Sequence, residues 1–166
     1  MKIVIEGPDA TGKSTLAKTL CRETGIPIVN GGGPSKSNEE IEERAMRYLR
    51  MEGSFICDRH PCVSEPIYGK FRNPQTFLKT SIIDFFYQSR PFFIYCHGTA
   101  PGEHQLKDYD TEEHVGMLDI NDMNIRDAYR KWAFVHVPAR QWFNVGGRNP
   151  EKATQSLIKL CQEAAQ

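Results

Sequence analysis

Two patterns of apolar residues alternate along the chain. Short runs of β-branched and aromatic residues predict strands, whereas apolar residues spaced three or four positions apart predict helices. The predicted strands cover residues 3–5, 26–29, 54–57, 92–96 and 141–145, and the predicted helices cover residues 12–24, 38–51, 74–88, 110–132 and 150–165. Gly25 stands in the stop position of the first helix, Pro74 in the first turn of the third, and Asn121-Asp122 interrupts the fourth.

This alternation of strands and helices predicts the α/β class. Right-handed crossovers place helices on both faces of a parallel sheet, so we expect a mostly parallel, five-stranded sheet between two helical layers. The 166 residues are expected to form one domain, residues 1–166, around one core. Ligands of such sheets bind at the carboxyl ends of the strands, and candidate site residues are expected there.

The composition is that of a folded protein, because 39% hydrophobic and 25% charged residues exclude the signature of disorder. Lys+Arg and Asp+Glu both number 21, so no net charge draws the chain to DNA or to an anionic membrane, and a polyanionic ligand must be held locally. The five cysteines lack CxxC spacing, which favours a reducing compartment. With no long apolar run, the sequence predicts a cytoplasmic protein without membrane contact.

The segment between the first strand and the first helix matches the phosphate-loop pattern GxxxxGK[ST] in its required context. Glycines let the backbone wrap phosphates, and the helix N-terminus adds positive charge. Lys13 is expected to reach the β- and γ-phosphates, and Ser14 to offer its hydroxyl to Mg²⁺. A turn without a ligand is the alternative, but the full match favours a nucleoside triphosphate site. Its predicted phosphate-binding residues are Gly7, Ala10, Thr11, Gly12, Lys13, Ser14 and Thr15.

A second polar pair, Asp58 and Arg59, follows the third predicted strand at the same expected edge of the sheet. In phosphoryl transfer a carboxylate holds Mg²⁺ or orients the attacking oxygen, and a guanidinium clamps a phosphate through two hydrogen bonds. A surface ion pair is the alternative. The sequence lacks the guanine-reading pattern Asn-Lys-x-Asp, and its length does not suit a motor or pump ATPase, so a compact kinase is favoured.

Together the two motifs resemble those of the thymidylate kinase family and, more broadly, of nucleoside and nucleotide kinases. The family opening E-G-x-D-x-x-G-K-[ST]-T is matched by residues 6–15, and its second motif by Asp58-Arg59-His60 with Ser64 nearby. Residues 64–69 look like the compact, phage-encoded members in particular.

The resemblance implies a three-layer P-loop kinase fold, ATP as the phosphoryl donor, Mg²⁺, and a nucleoside monophosphate as acceptor, above all a deoxynucleotide. It also implies that Asp9 contacts the 3′-hydroxyl of the acceptor, that Arg59 holds its phosphate and that Asp58 assists Mg²⁺ and transfer. Ser64 belongs to the same acceptor region. For a phage-encoded protein, the expected location is the host cytoplasm.

Aromatic residues near the second motif are candidates for stacking on an acceptor base. Tyr68 and Phe71 lie on a predicted loop and have this role or a place in the core, whereas Phe85, Phe86 and Tyr87 have the spacing of core residues. Residues 145–150, at the end of the last strand and after it, either wrap the adenine, as the related kinases do, or form a plain turn.

The resemblance further implies an arginine, in the phosphate loop or in a lid, that neutralises the transferring phosphoryl group. Ala10 and Thr11 do not supply it, and the predicted lid, residues 98–114, carries only Lys107. Arg126 and Arg130 share one face of the following helix and are the other candidates. Solvated surface residues are the alternative for both.

Two other functions stay open at this point. One is a kinase that acts on a nucleoside hydroxyl or on a hydroxymethylated base in phage DNA, in which case DNA is a partner. The other is a nucleotide-binding regulator without turnover, which the intact Asp58-Arg59 pair disfavours. The sequence leaves open whether the chain forms a homodimer.

Overall fold

A parallel sheet forms the centre of the fold. The computed structural model describes residues 1–30, 33, 35, 37–98 and 112–165. The strands are β1 (Lys2–Glu6), β2 (Ile28–Asn30), β3 (Phe55–Asp58), β4 (Phe92–His97) and β5 (Trp142–Asn144). All four pairings are parallel, in the order β2-β3-β1-β4-β5, which confirms the predicted five-stranded parallel sheet and places β1 in its middle.

Helices cover both faces of this sheet. They are α1 (Lys13–Thr24), α2 (Asn38–Arg50), α3 (Pro61–Tyr68), α4 (Thr80–Gln88), α5 (Glu112–His136) and α6 (Pro150–Ala164). Side chains of β1 alternate between the faces: Val4 packs with residues of α2 to α5, whereas Ile3 and Ile5 pack with residues of α1 and α6. The predicted three-layer α/β architecture is therefore confirmed.

The segment that follows Asp58 and Arg59 corrects the prediction of a loop, because it forms helix α3. The His60 ring accepts a hydrogen bond from the Cys62 N–H at 3.1 Å, and Pro61 occupies the first turn, where a missing N–H costs little. Tyr68 consequently lies at the end of a helix rather than on an open loop.

Helices α4 and α5 also differ from the prediction. Helix α4 begins at Thr80 and not at Pro74, because the Thr76 N–H donates to the Gly69 carbonyl at 3.1 Å and the Thr76 hydroxyl donates to the buried Glu65 carboxylate. Helix α5 runs unbroken past Asn121, whose side-chain amide donates to the Met117 carbonyl at 3.0 Å. The polar pair in α5 is thus satisfied along the helix instead of interrupting it.

The strand register brings the chemically active ends of the strands together. Ile5 of β1 lies opposite Asp58 of β3 on one side and Ile94 of β4 on the other. The loop that continues from β1 therefore starts beside Asp58 and Arg59, as expected for a parallel sheet. Among the helices of the described ranges, none combines the length and the apolar character that crossing a membrane requires.

Candidate functional site

The loop between β1 and α1 depends on two glycines. Gly7 has a φ of 148°, and a Cβ there would lie 2.0 Å from the Cys96 carbonyl oxygen of β4. Gly12, at the N-cap of α1, has a φ of 75°, and a Cβ would lie 3.0 Å from the Val145 side chain. Only glycine adopts these conformations without strain, so the backbone can pass close over the sheet edge before α1 begins.

Lys13 lies inward against the loop that precedes it. Its Nζ donates to the Pro8 carbonyl and, at 3.5 Å, to the Thr11 hydroxyl, and the residue is only 7% exposed. Burial, together with the nearby Arg59 guanidinium, lowers the pKa of Lys13 to about 8. The ammonium therefore lies among the loop atoms that would surround a phosphate, and not in open solvent.

Ser14 and Asp58 connect the first turn of α1 to the end of β3. The Ser14 hydroxyl donates to Asp58 Oδ2 at 2.5 Å. A hydroxyl and one carboxylate at this distance fit Mg²⁺, which binds through one or two carboxylates, waters and substrate phosphates rather than in an all-protein cage. Among the residues that the structure describes, no group of three or more His, Cys, Asp or Glu side chains could hold a metal ion.

Arg59 is held in an unusual backbone conformation that directs its side chain back over the loop. Its φ is 69°, a left-handed value that costs a non-glycine residue about 1–3 kcal/mol. Its guanidinium pairs with Asp9 at 2.5 Å and lies 4.9 Å from the centre of the Tyr68 ring. Burial opposes the charge of Arg59, but the surrounding acidic groups together, Asp9 first among them, outweigh burial and raise the pKa of the guanidinium.

Asp9 joins the loop to α3 as well. Its second oxygen accepts a hydrogen bond from the Tyr68 hydroxyl at 2.9 Å. Asp9 and Arg59 keep 18% and 24% of their side chains exposed, so solvent still reaches both. The structure thus brings together three residues that were predicted to lie at the acceptor, Asp9, Arg59 and Tyr68.

The aromatic candidates differ in their surroundings. Tyr68 is 1% exposed, so its ring offers no open face to a base. Of its two predicted roles it therefore has the place in the core and not that of stacking, and its hydroxyl donates to Asp9. Phe71 is half-buried and packs against the core cluster. Phe86 is buried, the Tyr87 hydroxyl accepts a bond from the Trp132 indole, and Phe85 is exposed.

Other candidates make local contacts. Ser64 donates to the His60 carbonyl within α3 at 3.1 Å. After β5, the Gly146 N–H donates to the Asn144 side chain, and Val145 touches the position of Gly12, so this turn adjoins the start of α1.

Of the cation candidates, Lys107 and the predicted lid from residue 99 to residue 111 lie outside the described residues. Arg126 is 17% exposed and pairs with Asp122 at 2.6 Å, while its Nη2 is buried without a hydrogen-bond partner among the residues described. Arg130 is 62% exposed and pairs with Asp127 at 2.8 Å. The two arginines therefore differ, because Arg126 has a buried donor without a partner among the described residues, whereas Arg130 is exposed.

Glu6, the last residue of β1, was not among the predicted site residues. It is fully buried, and its two oxygens accept hydrogen bonds from the His60 N–H at 2.6 Å and from the Tyr129 hydroxyl at 3.1 Å. Burial raises the pKa of Glu6 to about 7, although the His60 N–H, Arg59 and Lys13 favour its ionised form. The sequence does contain a signal for this site residue, because an acidic residue ends a buried apolar strand directly before the loop.

This raised pKa has a consequence for stability. Glu6 titrates near 4.5 when unfolded and near 7 when folded, so the wild type loses stability as the pH rises between these values. We expect Glu6→Gln, which cannot ionise, to gain up to about 3 kcal/mol in unfolding free energy relative to wild type between pH 4.5 and pH 8. Urea unfolding of both proteins at several pH values measures this difference. A difference that does not change with pH would contradict the assignment.

Comparisons with solved structures identify the fold. The YorR protein of Bacillus subtilis, solved in complex with phosphorylated GDP, matches with a TM-score of 0.69 at 21% identity, over 100% of this chain and 99% of that chain. Thymidylate kinase from Candida albicans matches with a TM-score of 0.53 at 15% identity, over 98% of this chain and 91% of that chain. Shikimate kinase from Aquifex aeolicus matches with a TM-score of 0.54 at 16% identity, over 99% and 98%.

At these identities the likeness concerns the fold, and the chain has the fold of P-loop kinases. No protein-family model matches the sequence. No curated protein matches it either.

Proposed function

We propose that this protein is a kinase that transfers the γ-phosphoryl group of ATP to a nucleoside monophosphate, with a deoxynucleotide as the preferred acceptor. One observation carries the proposal: Arg59 and Asp9 meet directly beside the phosphate loop and the Ser14–Asp58 pair. A site for an anionic acceptor and a site for a nucleoside triphosphate thus adjoin each other. Such adjacency is what in-line phosphoryl transfer needs, because catalysis consists mostly of positioning and charge stabilisation.

On the donor side, the loop backbone and Lys13 bind the triphosphate. The Lys13 ammonium leaves the Pro8 carbonyl for phosphate oxygens, which are stronger acceptors because they are charged. Ser14 and Asp58 are the residues that would hold Mg²⁺, which would supply charge neutralisation for the donor phosphates. The turn after β5 adjoins the same end of the loop and is suited to contact the nucleotide base.

On the acceptor side, Arg59 binds the phosphate group and Asp9 binds the sugar. The guanidinium fork of Arg59 matches a phosphate group, which it binds through two parallel hydrogen bonds. Asp9 accepts a hydrogen bond from a sugar hydroxyl, and Tyr68 keeps the Asp9 carboxylate in place through its own hydroxyl. The fold likeness to a thymidylate kinase and to a protein solved with phosphorylated GDP supports a nucleotide in this site.

Incubation of the purified protein with γ-labelled ATP and Mg²⁺ against a panel of acceptors tests this proposal. The panel contains nucleosides, ribo- and deoxynucleoside monophosphates, a 3′-blocked monophosphate, and oligonucleotides with and without hydroxymethylated bases. We expect label on deoxynucleoside monophosphates with a free 3′-hydroxyl. Label on nucleosides or oligonucleotides would identify a different acceptor, and ATP binding without any transfer would identify a regulator; both results overturn the proposal.

Replacement of Arg59 separates the acceptor site from the donor site. Because a charge-assisted pair to phosphate is lost, we expect Arg59→Ala to raise the KM of the acceptor monophosphate about 10- to 100-fold and to leave the KM of ATP within about threefold. Arg50→Ala is a suitable control, because Arg50 is exposed and lies far from the loop. Its neighbour Leu49 accepts a hydrogen bond from Lys2, at the opposite end of β1. An unchanged acceptor KM in Arg59→Ala would show that no acceptor phosphate binds there.

The pair Arg126 and Arg130 tests which cation supports the transfer. Arg126 has a buried, unpartnered Nη2 within the described part of the chain, whereas Arg130 is solvated. We expect Arg126→Ala to lower kcat about a hundredfold, the loss expected for one donor to a developing charge, and the matched Arg130→Ala to stay within about threefold of wild type. Steady-state kinetics at saturating ATP measures both. Equal rates in wild type and both variants would exclude this segment as the source of the cation.

A further inference from the structure

Glu6 is a buried carboxylate that the proposed transfer does not use directly. It is 0% exposed, and both of its oxygens are engaged by protein donors, so substrate cannot reach it. Within the described part of the chain it forms no salt bridge, since its donors are a peptide N–H and a phenol. Burying a carboxylate without a salt-bridge partner is unfavourable, and its two hydrogen bonds are the contacts through which Glu6 acts on its surroundings.

The first contact of Glu6 fixes the backbone around Arg59. The Arg59 N–H donates to the Ile5 carbonyl at 3.1 Å, and the next N–H, that of His60, donates to Glu6 at 2.6 Å. Two consecutive residues of β1 therefore hold the two peptide N–H groups on either side of the Arg59 Cα. Arg59 has a left-handed φ, which persists only where neighbouring groups enforce it.

The second contact of Glu6 supports the side chain of Arg59. The Tyr129 hydroxyl of α5 donates to Glu6 at 3.1 Å, and the Tyr129 ring packs edge-to-face on Tyr68 with ring centres 5.8 Å apart. The Tyr68 ring in turn lies 4.9 Å from the Arg59 guanidinium. The contacts close a circuit that starts at Glu6, passes through the Arg59 turn, Tyr68 and Tyr129, and returns to Glu6.

We propose that Glu6 is a positioning residue that holds Arg59 in its acceptor-binding conformation, through the His60 N–H on the backbone side and through Tyr129 and Tyr68 on the side-chain side. The inference rests on the proposed function for its kinetic consequence, because Arg59 is there the group that binds the acceptor phosphate. It also links α5, the helix that follows the predicted lid, to the acceptor site through the Tyr129 hydroxyl.

Kinetics of three variants test the role. Glu6→Ala removes both contacts, and we expect the acceptor KM to rise at least about tenfold while the ATP KM stays within about threefold. Glu6→Gln keeps an oxygen for the His60 N–H and an amide that can donate to the Tyr129 hydroxyl, so it should restore the acceptor KM to within about threefold of wild type. Tyr129→Phe loses one of the two contacts, so its acceptor KM should lie between those of Glu6→Ala and Glu6→Gln. If Glu6→Ala raised the KM of the acceptor and the KM of ATP equally, or raised neither, the proposal would be overturned.

Hydrogen exchange supplies a readout that does not depend on activity. Glu6→Ala should speed exchange of the His60 amide at least about tenfold, whereas Glu6→Gln should preserve its protection. Glu65→Ala is the matched control, because Glu65 is also buried but contacts Arg72 and Thr76, and its loss should leave the His60 amide unchanged. Unchanged His60 protection in Glu6→Ala would refute the positioning role. A wild-type protein that transfers no phosphoryl group would instead refute the proposed function, and the exchange data would still decide the role of Glu6.

Discussion

Replacing Lys13 with alanine should lower kcat for phosphoryl transfer at least about a thousandfold. The Lys13 ammonium is 7% exposed and lies against the Pro8 carbonyl and the Thr11 hydroxyl, inside the loop that is expected to surround the phosphates. A cation held in a desolvated loop stabilises the developing charge of the transition state far more than an exposed lysine could. Steady-state kinetics at saturating ATP and acceptor measures the effect.

The same substitution should leave the fold intact. Burial lowers the pKa of Lys13 to about 8, which means that the charged form is disfavoured in the folded chain, so its removal should raise the unfolding free energy at pH 7, by up to about 3 kcal/mol, and should not lower it. Lys18→Ala, on the exposed face of α1, is the matched control and should turn over as wild type does. A Lys13→Ala protein with a kcat within tenfold of wild type would exclude this lysine from the transfer step.

Changing Asp58 to asparagine should lower kcat about 100- to 1,000-fold, with a smaller effect on the acceptor KM. The Asp58 carboxylate accepts a hydrogen bond from the Ser14 hydroxyl at 2.5 Å. Asparagine has the same size as aspartate but lacks the negative charge that binds a divalent cation. The Mg²⁺ concentration needed for half-maximal rate should rise in the variant. Kinetics over a range of Mg²⁺ concentrations measures both effects.

An exposed aspartate provides the comparison for Asp58. Asp84→Asn, on the solvent side of α4, removes one carboxylate charge from the chain without touching the loop and should not change kcat or the Mg²⁺ dependence. An Asp58→Asn variant that matched this control would show that Asp58 serves neither the metal nor the transfer.

The architecture could be predicted because its signals are local. A β-branched run followed by a glycine-bounded loop and an amphipathic segment predicts β1, the phosphate loop and α1, and the structure has these elements. Helix α3 could not be predicted in the same way, because Pro61 and Pro66 within eight residues indicate a loop. It forms because His60 caps it and because its apolar residues pack against the sheet, which is tertiary information.

The candidate site was predictable in its residue types more than in its contacts. The expected strand-end positions of Asp58 and Arg59 follow from the parallel-sheet rule, and the structure places them beside the loop. The inward orientation of Lys13 and the burial of Tyr68 could not be predicted, because each depends on a partner distant in sequence or on the path of the loop. The contacts of Glu6 could not be predicted for the same reason, since its partners His60 and Tyr129 lie 54 and 123 residues away in the sequence.

The most direct test of the central claim is phosphorus NMR of one reaction mixture that contains the protein, ATP, Mg²⁺ and thymidine monophosphate. We predict that the γ-phosphate resonance of ATP declines while the two resonances of thymidine diphosphate and those of ADP rise in equal amounts, and that Lys13→Ala abolishes this change. Intact ATP after prolonged incubation, or its conversion to ADP and inorganic phosphate with the monophosphate unchanged, would contradict the claim that this site transfers a phosphoryl group to that acceptor.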